Sequence, residues 1–362
     1  MKRLILLGAG HAHALVLRAW CGAPPPDTEI VVISPTPLAP YSGMVPGWLT
    51  DHYRFEDICV DFAPLCAATG ARLVRGDAVG LDPAAHLLRL ADGSEMAYDL
   101  LSINIGSTLY PPDAAGPRVL SLRPLGSLRE AWEALLASPP QGLPGQPLRV
   151  TAVGGGAAGV ESLLAVSARL QGLGMAVRPR LVSRGARLLP GMAPGAARRV
   201  LRLFQQRGIT CQTDTDYGPA IGAETDLLLW AAGAQPQAFH QRCGLALSEA
   251  GFIRIDPCLR SLSHAEVFAV GDCAEWPQPL PKAGVFPVRL GPVLARNLGL
   301  ALAGAQLPPH QTALRFLALL ATADGSAVAS WNGWSLQGRW VWRWKDRIDR
   351  AFLARVAAPE LA

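Results

Sequence analysis

Apolar positions in this chain come in short blocks that end on glycine. Leu4-Ile5-Leu6-Leu7 runs into Gly8-Ala9-Gly10, and residues 12–20 follow with helical composition, which predicts a strand, a glycine turn and a helix. A proline-rich turn at Pro24-Pro25-Pro26 leads to a second apolar strand from Glu29 to Ile33, completing a βαβ unit. The pattern then returns about 145 residues later. Leu148 to Val153 reads as a strand, Gly154-Gly155-Gly156-Ala157-Ala158-Gly159 as the turn, residues 160–170 as a helix, and Leu181-Val182 closes the second unit. Between the copies, Pro139 to Pro147 is a Pro/Gly-rich surface connection.

Two further buried-type strands punctuate the halves in the same way. Asp99 to Ser107 and Asp226 to Ala234 each end in Gly plus a small residue, through Gly106-Ser107 and Gly233-Ala234, and each is placed to cross back under its glycine turn. A last apolar strand, Val267 to Val270, ends in Gly271-Asp272. The expected fold is α/β, with two Rossmann-like dinucleotide-binding domains: residues 1–115 plus 250–310 form one, interrupted by a second near 118–248. Residues 311–362 form a C-terminal extension. Within it, a helix from Arg339 to Val356 carries Trp340, Trp344, Ile348 and Phe352 at every fourth position, with arginines and Lys345 on the other faces. That amphipathic stripe suits a membrane headgroup interface, the protein's own body, or a second subunit in a homodimer.

Composition narrows the function classes. The 362 residues suffice for two cores, and although half are hydrophobic, no run reaches the roughly 18–20 apolar residues of a membrane span. The N-terminal run stops at Gly8, so a buried first strand accounts for it better than a secretory signal. Seven scattered cysteines contain no CxxC pair and no zinc spacing; they read as reduced thiols of a cytoplasmic protein without a metal centre. The net charge of +5 comes from arginines spread along the chain, which favours anionic ligands or lipid headgroups over nucleic acid.

Gly154, Gly156 and Gly159 satisfy GxGxxG, the turn that brings helix N-terminal N–H groups to a pyrophosphate. The first copy keeps Gly8 and Gly10 but has His13 at the third position; His11 and His13 fall on the first helical turn, within reach of phosphate or flavin or simply packed. The acidic residue that commonly holds a ribose hydroxyl after the second strand is absent from both units. Ser34 stands there in the first, Ser183-Arg184 in the second with Arg187 nearby, and a guanidinium at that point suits the 2′-phosphate of NADP over the free hydroxyl of NAD. Asp272 is placed to accept hydrogen bonds from a polyol or simply to cap a turn.

Together Gly8-Ala9-Gly10, Ile105-Gly106-Ser107, Gly154 to Glu161, Trp230 to Gly233 and Val267 to Asp272 resemble the pyridine nucleotide-disulfide oxidoreductase superfamily over residues 3 to about 305. His11-Ala12-His13, Pro40 to Gly47 and Pro281 to Phe286 resemble the oxidoreductase fused in some organisms to selenide, water dikinase, and the last segment also resembles type II NADH dehydrogenases and sulfide:quinone oxidoreductases. The resemblance implies FAD with its pyrophosphate at Gly8 and Gly10, its ribityl chain at Asp272, and its ring at Lys282, Ala283, Gly284 and Val285. It also implies Glu161 near the nicotinamide and flavin, with Glu161 and Lys282 as the catalytic candidates. The remaining candidate cofactor positions are His11, Ala12, His13, Ser34, Pro35, Ser42, Val79, Gly106, Gly154, Gly156, Gly159, Arg184, Gly233 and Gly271. No cysteine lies between Tyr41 and Asp51, where disulfide reductases of the superfamily carry their redox pair. The expected activity is hydride transfer from NAD(P)H to flavin and electron transfer to a quinone-like acceptor, in the cytoplasm or peripherally on the inner face of the cell membrane. The alternatives are a nicotinamide-independent sulfide- or selenide-oxidising flavoenzyme and a flavin-binding partner protein of selenium metabolism.

Overall fold

The computed structural model describes residues 1–112, 116–140 and 145–359. The expected boundary at 115 and the middle of the Pro139 to Pro147 connection lie outside the described residues.

Strands β1 (Lys2–Leu7), β2 (Thr28–Ser34), β3 (Arg72–Arg75) and β4 (Leu100–Ile103) belong to the first sheet; β5 (Arg118–Ser121), β6 (Leu148–Val153), β7 (Val177–Val182), β8 (Thr210–Gln212) and β9 (Leu227–Trp230) form the second. Strand β10 (Val267–Ala269) returns to the first. The first sheet runs β10-β4-β1-β2-β3 and the second β5-β9-β6-β7-β8, both parallel throughout. The two orders correspond strand for strand: the crossing strand, β4 or β9, lies beside the strand that precedes the glycine turn. Strands buried on both faces read as continuous apolar runs, which is why Leu4 to Leu7 and Leu227 to Leu229 are legible as strands.

Helix α1 (His11–Trp20) follows the first turn, α2 (Val45–Leu49) lies between β2 and β3, α3 (Ala157–Gly172) follows the second turn, and α4 (Pro194–Gln206) lies between β7 and β8. Helix α5 (Val285–Leu302) follows β10. A three-stranded antiparallel sheet of residues 78–97 has no counterpart in the apolar pattern, because its strands are short and half-exposed.

The C-terminal extension is more than a helix. Strands β11 (Ala318–Ala321), β12 (Ala327–Trp331) and β13 (Trp334–Gly338) make an antiparallel sheet that leads directly into α6 (Arg339–Val356). One sheet face joins the second core through Leu320 and Val328, while Ala327 and Ala329 on the other meet Val341 of α6. Phe352 and Val356 enter the first core. Helix α6 thereby rests on the body of the protein. Its inward stripe is Val341, Lys345, Asp349, Phe352 and Val356, rotated from the expected one: Trp340, Trp344 and Ile348 are exposed, and Lys345, expected on a solvent face, is buried.

Candidate functional site

The two glycine turns close over their crossing strands. A Cβ on Gly10 would stand 2.0 Å from the side-chain oxygen of Asn104, and one on Gly8, whose φ is +95°, 2.6 Å from the Asn104 carbonyl. In the second unit a Cβ on Gly159 would stand 1.9 Å from the Gly154 carbonyl, and Gly154, at φ +123°, has Ala231 at 3.0 Å. Gly156 faces open space. Helices α1 and α3 begin at Gly10 and Gly156 with no side-chain cap, leaving their first N–H groups for an anion.

His13 does something other than expected. Its ring is fully buried, with Nδ1 2.7 Å from the Gly8 carbonyl and Nε2 2.8 Å from Ser102 Oγ. A carbonyl only accepts, so Nδ1 carries the proton and Nε2 accepts from the serine. Burial lowers its pKa to about 4. His13 is a neutral brace between the turn and β4, and both nitrogens are committed; the expected reach to phosphate or flavin is corrected on that ground.

His11 behaves differently. Burial lowers its pKa also to about 4, against the opposing pull of Asp272, and its Nε2 is buried without a partner. The ring packs edge-on to Tyr41 with centroids 5.4 Å apart, and Phe352 of α6 lies 5.7 Å away. The side-chain oxygen of Asn104, beside Gly10, is a second buried orphan. Two unpaired polar atoms at one helix start are what a polar ligand would satisfy.

Asp272 pairs with Arg123, which also donates to Ser107 Oγ and, at 3.3 Å, to the Lys282 carbonyl. The pattern of the chain gave Arg123 no distinguishing signal; it follows β5 in a chain full of arginines. Lys282 donates to the Ala274 carbonyl at 2.8 Å, and its ammonium lies 3.7 Å from the Phe252 ring centre. Burial lowers the Lys282 pKa. Ser42 approaches the start of α5 so closely that a Cβ on Gly284 would stand 2.8 Å from its Oγ. Gly8, Gly10, His11, Ser42, Gly271, Asp272 and Lys282 to Val285 therefore share one locality, with Ala12 buried behind His11. Gly106, at φ +74°, turns the chain just beyond β4. Ser34 is buried at the end of β2 with Pro35 exposed beyond it, and Val79 lies on the small antiparallel sheet. These glycine cradles, open helix starts and orphaned atoms fit FAD.

At the second turn, Ser183 is buried against Gly155, whereas Arg184 and Arg187 are exposed and make no salt bridge among the described residues. Gly233, at φ +72°, ends the crossing strand as Gly106 does. Glu161 lies on the first turns of α3 and accepts from the Ala321 amide of β11 at 2.7 Å. Burial pushes its carboxyl up to about 7, while Lys345 pulls the other way.

Beyond Glu161, α6 reaches Gly43, Tyr41 and His11. Lys345 donates to the Gly43 carbonyl and, at 2.6 Å, to Asp349; both side chains are 8% exposed. Phe352 packs against Tyr41 at a tilt of 37°, with centroids 4.7 Å apart. Lys345 and Asp349 are absent from the sequence-derived set because charged residues on an amphipathic helix ordinarily face water. The cysteines supply no redox pair: Cys273 is buried, bonded to the Ile103 and Val270 carbonyls, with its thiol pushed up to about 11, and Cys59 is pushed up to about 12, both chiefly by burial.

The family model for pyridine nucleotide-disulphide oxidoreductases matches residues 2–285. The chain belongs to that family. Members bind FAD and NAD(P), and this chain is an oxidoreductase of that kind. It is 27% identical over 298 residues to demethylphylloquinone reductase NdbB of Synechocystis, covering 75% of this chain and 72% of that one. It is 23% identical over 310 residues to an NADH dehydrogenase-like protein, Rv1812c, of Mycobacterium tuberculosis, covering 76% and 73%. The fold matches sulfide:quinone oxidoreductase of Aquifex aeolicus with a TM-score of 0.79 at 18% identity, over 99% of this chain and 93% of that one.

The carboxyl of Glu161 has a folded-state pKa raised above its unfolded value, so its contribution to stability is present below about pH 4.5 and lost as pH rises through about 7. Glu161→Gln keeps an acceptor for the Ala321 amide and removes that loss. Denaturant unfolding of flavin-free protein should show the variant gaining on the parent by about 2 kcal/mol between pH 4.5 and 8. A difference that is flat with pH, or that falls, refutes the enclosed-carboxyl account.

Proposed function

We propose that the chain is an NAD(P)H:quinone-type oxidoreductase that works at a membrane surface. FAD, when bound, supplies the chemistry of accepting a hydride from NAD(P)H and releasing the electrons to an acceptor. The chain's residues hold the two dinucleotides in place: Gly8, Gly10 and the α1 N-terminus take one pyrophosphate, Gly154, Gly156, Gly159 and the α3 N-terminus the other, with Gly106 and Gly233 turning the chain beneath them. Asp272 and Arg123 hold the ribityl region, and the start of α5 with Ser42 holds the ring. The N–H groups at that helix start favour negative charge on a reduced flavin. Glu161 stands toward the nicotinamide. The domain division follows the same assignment: residues 1–115 with 250–310 hold FAD, and 118–248 hold NAD(P).

The observation that carries the quinone reading is the double role of α6. Its inner face brings Lys345 and Phe352 to His11, Tyr41 and Gly43, and its outer face exposes Trp340, Trp344 and Ile348. Trp331, Trp334 and Leu336, also exposed, lie on the sheet face that α6 covers. Such indole and leucine surface beside Arg339, Arg343 and Arg347 suits an anionic headgroup layer, and an acceptor dissolved in lipid would arrive at the same helix that walls the flavin. No helix among the described residues is long and apolar enough to cross a membrane. An electron path through cysteines is disfavoured by the buried, bonded state of Cys273.

Purified protein should be yellow with FAD and should bleach rapidly on anaerobic mixing with NADPH or NADH; Asp272→Ala should lower flavin occupancy. Acid-released FMN, or a flavin that neither nicotinamide bleaches, refutes the assignment.

Arg184 is exposed just past the end of β7, has no salt bridge among the described residues, and is the residue this reading assigns to a 2′-phosphate. NADPH is expected to serve at least as well as NADH, and Arg184→Ala should weaken NADPH selectively by about 1–3 kcal/mol, the worth of a charge-assisted hydrogen bond. Equal losses for both nucleotides remove the 2′-phosphate from the account.

Full-length protein should co-sediment with vesicles containing anionic phosphatidylglycerol at low salt and be released by high salt, since each basic residue near such a surface contributes about 1 kcal/mol. Trp340→Ala combined with Trp344→Ala should lose co-sedimentation while flavin content stays at the parent level. Full-length protein that ignores these vesicles points instead to a soluble acceptor.

A further inference from the structure

The groups contributed by α6 leave one question of chemistry open, the source of a proton. Reduction of a quinone-like acceptor consumes two electrons and two protons, whereas a nicotinamide delivers two electrons with one hydrogen. The balanced reaction is NAD(P)H + H⁺ + quinone → NAD(P)⁺ + quinol. The second proton comes from water, and the flavin side of the site is walled by Phe352, Tyr41 and the start of α5.

Tyr41 is placed to deliver it. Its ring is held between His11 and Phe352, at centroid distances of 5.4 and 4.7 Å. The phenol and the Asp349 carboxylate converge over Gly43: a Cβ there would stand 3.2 Å from Tyr41 Cζ and 3.4 Å from Asp349 Oδ1. Tyr41 and Asp349 lie within electrostatic reach of each other, and Lys345 Nζ donates to Asp349 Oδ2 at 2.6 Å. Residue 42, between Tyr41 and Gly43, is the one that touches Gly284 at the segment assigned to the flavin ring. The charged and titratable groups turned toward this trio come from four elements: Asp346 and Arg355 on α6, His11 on α1, Glu161 on α3, and Tyr53 beyond α2, which donates to Asp346 at 2.6 Å. Burial raises both the Tyr41 phenol and the Asp349 carboxyl, Lys345 opposing the latter, so both groups favour their protonated forms more than they would in water.

We propose that Tyr41 is the proton donor to the electron acceptor, resupplied through Asp349 and Lys345 of the C-terminal helix. The Tyr41 O–H bond breaks as an O–H bond forms on the acceptor oxygen; the Asp349 carboxylate takes a proton from the Lys345 ammonium and passes it to the phenolate, returning to carboxylate, and the neutral Lys345 amine takes a proton from water, leaving hydroxide. None of the three changes oxidation state. The inference rests on the quinone-type reading above.

FAD-loaded full-length enzyme tests it with two acceptors, a short-chain ubiquinone and ferricyanide, which takes electrons without protons. In Tyr41→Phe the ratio of quinone to ferricyanide turnover should fall at least tenfold, and imidazolium buffer should restore it in part. Asp349→Asn should lower the same ratio and Asp349→Glu recover it. In flavin-free protein, Lys345→Met should show the infrared carbonyl stretch of a protonated carboxyl that disappears on adding Asp349→Asn, since a buried carboxylate deprived of its cation takes up a proton. A parent enzyme that reduces ferricyanide but no quinone overturns the functional reading and this inference with it. Rapid quinone turnover with an unchanged ratio in Tyr41→Phe, or no such stretch in Lys345→Met, overturns the proton route alone.

Discussion

The contact of Asn104 with the first glycine turn constrains more of this structure than any other. With the Asn104 carbonyl and side-chain oxygen lying where a Cβ of Gly8 or Gly10 would be, any side chain at these two positions would force β4 away from β1. Asn104 also donates through its side chain to the Val270 carbonyl at 2.8 Å, so one residue ties the turn, the crossing strand and the strand that ends in Gly271-Asp272. His13 fastens the same junction from below through Gly8 and Ser102. The third glycine of the fingerprint is dispensable here because a neutral, doubly bonded imidazole does the work of close helix-to-strand packing by hydrogen bonding. The second unit keeps the glycine, and there the fit is tighter still: the Gly154 carbonyl fills the space where a Cβ of Gly159 would stand.

That frame leaves the two helix starts open and presents Asp272 to a locality that also holds the side chains of His11, Ser42 and Arg123. The C-terminal helix completes it at some energetic risk. Lys345 and Asp349 are buried together, and a buried ion pair is an uncertain source of stability, since desolvating the two charges offsets most of their attraction, while losing one partner costs about 3–5 kcal/mol. Well-packed apolar residues at both positions would seat α6 at least as well. A buried pair beside Gly43 and Tyr41, kept where apolar residues would pack as well, suits the chemical role proposed above.

The parts of the fold legible in the sequence were those with a single dominant cause. Parallel strands buried on both faces leave apolar runs, and close approach of backbone to backbone leaves glycines; hence β1, β6 and the two turns with their crossing strands could be read directly. The boundaries of α6 were equally clear, because its periodicity is strong. Its orientation was not, since the apolar stripe through Trp340, Trp344 and Ile348 outweighs the true inner stripe, in which Lys345 and Asp349 interrupt Val341, Phe352 and Val356. A polar residue in a helix is assigned to water unless its partner is known, and the Gly43 carbonyl that Lys345 meets lies about 300 residues away in sequence. Arg123 was hidden for the same reason. His11 and His13, two residues apart and alike in the sequence, diverge because only one of them faces Ser102.

The match to the family ends at residue 285, the first residue of α5. Both glycine turns, both crossing strands, Asp272 and Lys282 lie before that point, so the residues proposed to hold FAD and NAD(P) belong to the matched part. Lys345, Asp349, Phe352 and the exposed tryptophans lie after it. A hydride donor and a flavin need the same cradle whatever the electrons reduce, whereas each acceptor needs a surface of its own. On the reading proposed here, acceptor surface and proton supply fall on opposite faces of one 18-residue helix, and the inner face can change its chemistry only within the packing that the outer face's position fixes.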